Sequence, residues 1–335
     1  MSTNVELRLE EVPCNFCGSR DYGIWWRFGD WTVAECHRCR FRYTNPRPAK
    51  VSLASFYTEA YFREQGLRLT EAVRHHGGRD LFAHQKFRCY SSSPNPTPTD
   101  SPRTVDIEPW FHERGSLLEV GAATGEFLNV MQNRGWTVRG IDISRDAVAF
   151  GRRVYGVNLV AATPEEFDTP ERFDVVCMYQ TLEHLPDPLH VLRKAQTWLR
   201  PGGILVIEVP NADSFDIRIS RHRARLTLDL PRHLSHFTPR FLCGQLERLA
   251  FNVVNCSLYP PAPLVTLLRW RALLGTRIGR PKGPPSGSMP LAARPTLPLA
   301  HLPAETWKSR LLQLITSVAP GWRFTVVART APPPG

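Results

Sequence analysis

No apolar run in this chain of 335 residues approaches the ~18–20 residues that a bilayer-spanning helix requires. The first residues, Met1 to Glu11, are polar and acidic and lack the apolar stretch of a secretory signal peptide. Acidic residues are the scarcer charge: 31 Asp and Glu stand against 42 Lys and Arg, a formal net charge of +11. That excess favours anionic partners in general. It is spread along the chain, with one local cluster at Arg218, Arg221, Arg223 and Arg225, and does not by itself specify nucleic acid. One glycine is also missing from a familiar pattern. The turn Gly121-Ala-Ala-Thr-Gly125 lacks the middle glycine of Gly-x-Gly-x-x-Gly, on which a dinucleotide pyrophosphate rests.

What is present is a strand, Leu117 to Val120, that runs into this glycine turn and then into a helix read from Glu126, Phe127, Leu128 and Met131. Gly121 and Gly125 let backbone approach a ligand closely, and the amides of the helix N-terminus face the same place. Asp142 ends the next apolar strand, which carries Val138 and Ile141, where a carboxylate can accept from both hydroxyls of a ribose. The pattern implies a nucleoside-containing cofactor.

Phe173-Asp-Val-Val-Cys-Met-Tyr-Gln180 reads as a buried strand, followed by Thr-Leu-Glu183-His184-Leu-Pro-Asp187-Pro188. Asp187 and Pro188 suit the N-cap and first turn of a helix whose apolar face is Leu189, Leu192, Ala195 and Leu199. Leu199-Arg-Pro-Gly-Gly203 stops that helix, and Ile204 to Val209 is another continuous apolar strand. Glu119-x-Gly121-x-x-x-Gly125, Phe-Asp-Val-Val, Leu-Glu-His, Leu-Arg-Pro-Gly-Gly and Val-Pro-Asn211, in that order, resemble motifs I and IV to VI of the class I S-adenosylmethionine (AdoMet) methyltransferases. The resemblance implies an α/β, doubly wound, seven-stranded Rossmann-like sheet. It also implies that Glu119, Gly121 and Gly125 shape the methionine pocket, Asp142 and Ile143 hold the ribose and adenine edge, Ala162 and Thr163 lie at the adenine, and Gln180 sits on the motif IV loop.

The eight cysteines divide unevenly. Cys14-Asn-Phe-Cys17-Gly18 and Cys36-His-Arg-Cys39 form two Cys-x-x-Cys pairs, enough thiolates to close a tetrahedral zinc shell at ~2.3 Å per bond with no position left for substrate. Gly23 to Phe28 and Trp31 to Glu35 read as a hairpin that a structural Zn2+ would staple. Cys89, Cys177, Cys243 and Cys256 read as ordinary apolar positions, and reduced thiols throughout imply a cytoplasmic protein. Zinc module and motifs together resemble a bacterial group of zinc-ribbon-bearing AdoMet methyltransferases met in glycan and natural-product pathways. In that group the segment behind the ribbon folds over the cofactor mouth, which makes Tyr57 and Tyr61 candidate cofactor contacts.

The resulting division is a zinc-ribbon module at 12–45, a helical cap at 46–90, a Ser/Pro-rich linker at 91–104 and a methyltransferase domain at 105–335. The family ends its sheet with a hairpin of strands six and seven. Phe251 to Leu258 and Arg323 to Arg329 fit those strands, leaving 259–322 as an insertion that either gates a substrate, touches a membrane surface or is an ornamental helical hairpin.

For the acceptor, the family resemblance places Leu230-Pro-Arg-His233-Leu-Ser-His236-Phe over the far end of the pocket, before a helix with Thr238 at its N-cap and Pro239 at its first position. Methyl transfer to a hydroxyl needs an aligned nucleophile and removal of its proton. Histidine suits that step near neutrality, and His233, His184 and His236 are the candidates in that order. Arg221-His-Arg-Ala-Arg225 replaces the family's usual glycine-to-tryptophan run and suggests an anionic acceptor.

The expectation is an AdoMet-dependent O-methyltransferase of a sugar or small secondary metabolite. Two other readings remain at this stage. One is a methyltransferase that holds RNA with its ribbon and basic surface; against it, Tyr179-Gln-Thr-Leu-Glu-His184 lacks the Asn/Asp-Pro-Pro-aromatic run of amino-methylating enzymes. The other is a noncatalytic AdoMet-binding assembly protein.

Overall fold

A computed structural model describes residues 7–53, 56, 107–219, 224, 227–259 and 321–331. Tyr57, Tyr61, Cys89, the linker and nearly all of the 259–322 insertion lie outside the described residues.

The N-terminal part runs β1 (Leu9–Glu10), β2 (Tyr22–Phe28), β3 (Trp31–Cys36), β4 (Arg42–Thr44), β5 (Arg47–Pro48) and a single helical turn, α1 (Lys50–Leu53). The second part begins at β6 (Ser116–Val120) and continues through α2 (Glu126–Asn133), β7 (Thr137–Asp142), α3 (Arg145–Tyr155), β8 (Leu159–Ala161), β9 (Phe173–Tyr179), α4 (Pro188–Trp198) and β10 (Leu199–Pro210). It ends with α5 (Phe215–Ile219), β11 (Ser235–His236), α6 (Pro239–Arg248), β12 (Asn252–Leu258) and β13 (Arg323–Arg329).

Seven strands form one sheet in the order β12-β13-β10-β9-β6-β7-β8. The five central and distal strands are parallel, while β13 runs antiparallel to both β10 and β12. Parallel strands need helical crossovers, so both faces are covered and the central strands are largely buried. Alternation divides their side chains between two cores. Leu118, Val176, Leu205, Ile207 and Val326 pack on the side of α4 and α6, against Leu192, Trp198, Leu242 and Leu246. Leu117, Val175, Ile204, Val206 and Val327 pack on the side of α2, against Phe127, Leu128 and Met131. The strand expected at Ile204 starts earlier, at Leu199, and the Arg200–Gly203 run is a register irregularity within it rather than a loop.

The two expected caps are formed: Asp187 accepts from the His190 amide, and Thr238 from the Phe241 amide. Two of the remaining cysteines differ from expectation. Cys177 is buried as expected, but Cys243 is only partly covered and Cys256 is exposed, because β12 is an edge strand of the sheet. Among the described residues no helix is long and apolar enough to cross a membrane.

The N-terminal module is not a separate body. Its sheet has the order β11-β4-β3-β2, and β11 comes from the second part of the chain. Phe16, Phe41, Phe237 and Phe241 pack ring on ring, with Phe41 and Phe237 centroids 5.6 Å apart. Thr44 joins the two parts by hydrogen bonds: its amide donates to Leu234 O, and its hydroxyl donates to His233 O at 2.6 Å and meets His236 Nε2 at 3.0 Å. Replacing buried Thr44 by isosteric Val leaves that carbonyl and that imidazole without their partner, and each buried group so left costs ~1–3 kcal/mol. T44V is therefore expected to lose about 2 kcal/mol or more in urea denaturation; a loss below about 0.5 kcal/mol would contradict the clamp.

Candidate active site

The glycine turn follows from the chain's local geometry. Gly121 and Gly125 have φ of +75° and +73°, a region that side chains disfavour. A Cβ on Gly121 would lie 2.2 Å from Thr181 Oγ1, so the turn rests directly on the loop after β9. The Gly121 and Ala122 amides donate to Ile141 O, and the Ala123 amide donates to Asp142 Oδ2 at 2.8 Å. The Ser144 amide donates to Asp142 Oδ1 at 2.8 Å. Each carboxylate oxygen of Asp142 keeps acceptor capacity for a ribose hydroxyl. Burial pushes the Asp142 carboxyl above the usual range, and the two amides oppose that shift.

The other expected cofactor residues gather around this turn. Glu119 is buried in β6, opposite Gly140 on one side and Cys177 on the other. Ile143 is 40% exposed directly after Asp142, an apolar edge at the end of β7. The Ala162 amide donates to Asp142 O, and Thr163 forms a reciprocal cap with Glu166. Gln180 has φ of +54°, a strained conformation for a residue with a side chain. It is held by its amide to Glu208 O and by Nε2 to Glu208 Oε1 at 3.3 Å. Glu208 also accepts from Tyr259 Oη and faces Arg323, which lies 4.1 Å from the Tyr259 ring centre. Sequence reasoning missed this Glu208–Arg323–Tyr259 support, since its members come from three strand ends joined only by the sheet order.

The three histidines separate. The His184 and His233 rings meet edge to face with centroids 4.7 Å apart. His184 lies in a one-turn helix at Leu182–His184, directly after the loop that touches Gly121. The Leu234 amide donates to Glu183 O, which brings the two segments together. His236 instead lies in β11, buried and bonded to Thr44. Burial, with the Arg42 charge, pushes its pKa down to about 3, which removes it as a proton acceptor near neutrality.

In the N-terminal module, Cys14, Cys17, Cys36 and Cys39 place their Sγ atoms within 4.8 Å of one another, with the Cys14–Cys39 and Cys17–Cys36 pairs at 3.4 and 3.5 Å. Both knuckles close alike: the Gly18 amide donates to Cys14 O and the Arg40 amide to Cys36 O, with Gly18 and Arg40 at positive φ. Four converging thiols on two tight turns fit a single thiophilic ion.

The family described as "Methyltransferase domain" matches residues 101–255, a span that leaves the cysteine module outside. A relative named ubiquinone biosynthesis O-methyltransferase, from Aeromonas salmonicida (strain A449), is 35% identical over 160 residues, covering 44% of this chain and 67% of the relative. The protein of the same name from Pseudomonas entomophila (strain L48) is 36% identical over 114 residues, 29% of this chain and 49% of that one. The chain thus spans two thirds of one curated relative and about half of the other. A crystal structure of a SAM-dependent methyltransferase from Archaeoglobus fulgidus aligns with a TM-score of 0.46 at 19% identity, over 68% of this chain and 91% of that chain.

Two variants test the cofactor end. G121A is expected to weaken AdoMet binding at least tenfold in calorimetry, because its Cβ displaces Thr181. AdoMet affinity should also fall as pH drops through the raised Asp142 range, since a protonated carboxyl accepts fewer hydroxyl bonds; D142N should bind weakly at every pH. A pH dependence that persists unchanged in D142N would contradict the assignment.

Matched by family and by a relative covered over two thirds of its length, and carrying the glycine turn and terminal acid at the ends of adjacent strands, this chain belongs to the class I AdoMet-dependent methyltransferases.

Proposed function

We propose that the protein transfers a methyl group from AdoMet to a hydroxyl oxygen of a small-molecule acceptor, and that the Glu183–His184–His233 cluster handles the hydroxyl proton. The observation that carries this reading is the position of the cluster. Its first two members follow Thr181, the residue against which the glycine turn packs, and a methyl donor seated on that turn would present its reactive end there. The relatives' printed name, O-methyltransferase, supports oxygen as the acceptor atom. It also names ubiquinone biosynthesis, so the sugar acceptor expected from the sequence gains no support, and a non-sugar hydroxyl is the reading we adopt.

In this reading Glu119, Gly121 and Gly125 shape the methionine end, Asp142 takes the ribose, and Ile143, Ala162 and Thr163 border the adenine. Gln180 braces the loop between the two halves of the site. Cys14, Cys17, Cys36 and Cys39 hold a structural Zn2+ that sets the position of β4, and through Thr44 the position of His233. Four thiolates leave that ion no open position, so it takes no part in the transfer.

The test is a transfer assay with radiolabelled AdoMet against a panel of phenols, hydroxy acids and sugars, with His233→Ala beside the wild type. Label in a hydroxyl acceptor, with turnover lost at least 100-fold in H233A and AdoMet affinity retained, is the expected result. Label on nitrogen or carbon alone, or undiminished turnover in H233A, would contradict the proposal. Elemental analysis should find one zinc per chain, and C17S with C36S should abolish it; a full zinc complement in that double variant would remove the ribbon assignment.

A further inference from the structure

Two cysteines outside both the ribbon and the acceptor cluster are brought together by the end of α6. Cys243 lies in that helix and Cys256 in β12, 13 residues further on. The helix closes with the Leu249 amide on Gln245 O and Leu246 O, and the Phe251 amide returns to Leu246 O. Ala250, at φ of +59°, turns the chain between them, so that β12 runs back beside α6. Leu242 and Leu246 lie on the buried face of the helix. Cys243 packs partly against the core, and its thiol meets the exposed Cys256 thiol in a hydrogen bond.

The two sulfurs are not equivalent. Cys243 donates its S–H to Cys256, and that bond, then burial, then the charges of Cys256 and Glu247, push the Cys243 thiol well above the usual range. The same bond pulls Cys256 below that range, against the opposing effect of burial. One partner is thus held as a protonated thiol. The other is exposed and inclined to the thiolate, which is the nucleophilic form. Cys177, the remaining described cysteine outside the ribbon, is buried, and its thiol donates to Leu118 O.

We infer that Cys243 and Cys256 form a reversible oxidation site, in which Cys256 reacts with a peroxide and Cys243 then closes a disulfide. With hydrogen peroxide, the Cys256 sulfur attacks one oxygen, the O–O bond breaks and water leaves, giving a sulfenic acid. The Cys243 sulfur then attacks the Cys256 sulfur. Its proton goes to the departing hydroxyl, and a second water leaves. The two thiols lose two electrons and two hydrogens, and the peroxide is reduced to two waters. A dithiol reductant reverses the reaction by exchange.

This site goes beyond methyl transfer and requires none of its residues. Its bond acts on an edge of the sheet, where β12 pairs with β13 alone. At Leu258 that strand leads into Tyr259, whose hydroxyl donates to Glu208. A cross-link to α6 gives the strand a covalent anchor and removes conformations from the unfolded chain, so the oxidised protein is harder to unfold.

The experiment treats the full-length, zinc-replete protein with equimolar hydrogen peroxide near neutrality, blocks the remaining thiols with iodoacetamide and maps the cysteines by mass spectrometry. The expected product is a linked Cys243–Cys256 peptide pair that dithiothreitol abolishes, with zinc retained and the urea midpoint raised. C243A should leave Cys256 as a sulfenic acid that dimedone captures. It should also slow Cys256 alkylation about threefold or more, because the donated S–H is gone. C256S should leave Cys243 reduced. No linked pair, or zinc released before the pair forms, would overturn the inference. So would oxidation of Cys243 that persists in C256S, or Cys256 alkylation unchanged in C243A. Cooperative urea unfolding reports that both variants are folded, and the wild-type mapping decides the question without them.

Discussion

In the proposed reading, the acceptor side of this molecule depends on how one short segment, residues 233–236, is held. On one side it is clamped by β4, through the Thr44 hydroxyl on His233 O, the Thr44 amide on Leu234 O and the β11–β4 ladder. On the other, the Leu234 amide donates to Glu183 O. A segment bonded on both edges cannot drift by the ångström that would misplace a reacting group. The cysteine module is therefore tied directly to the segment that carries His233, and four thiols converge on its two knuckles.

The cofactor side works by a different constraint. Five parallel strands end on the same edge of the sheet, and the ligand site of such a fold lies beyond their carboxyl ends. Gly121 brings the turn after β6 onto Thr181 after β9, and Asp142 after β7 ties that turn down through the Ala123 amide. The strained Gln180 directly precedes Thr181. Its left-handed backbone is sustained by Glu208, which is itself fixed between Gln180, Tyr259 and Arg323.

The strand, glycine turn and terminal acid were legible in the sequence, because they are local and their order along the chain is the order of the fold. The hairpin β2–β3, the caps at Asp187 and Thr238, and the final strands β12 and β13 were legible for the same reason. The acceptor half was less so. His233 and His184 are 49 residues apart in the chain, and their edge-to-face contact follows from the bond of the Leu234 amide to Glu183 O, a tertiary pairing with no local signal. His236 carried the same local signal as His233, yet alternation along the strand turned it to Thr44 and a pKa of about 3. Glu183 was visible only as part of a motif. Its convergence with the two imidazoles is a property of packing.

The measurement that bears most directly on the central claim is calorimetric titration of the zinc-replete protein with AdoMet, S-adenosylhomocysteine and NADH. The structure predicts one site per chain, micromolar or tighter affinity for the two adenosyl ligands (about −8 kcal/mol or more favourable), and no heat with NADH. A folded protein that binds NADH, or neither adenosyl ligand, would contradict it.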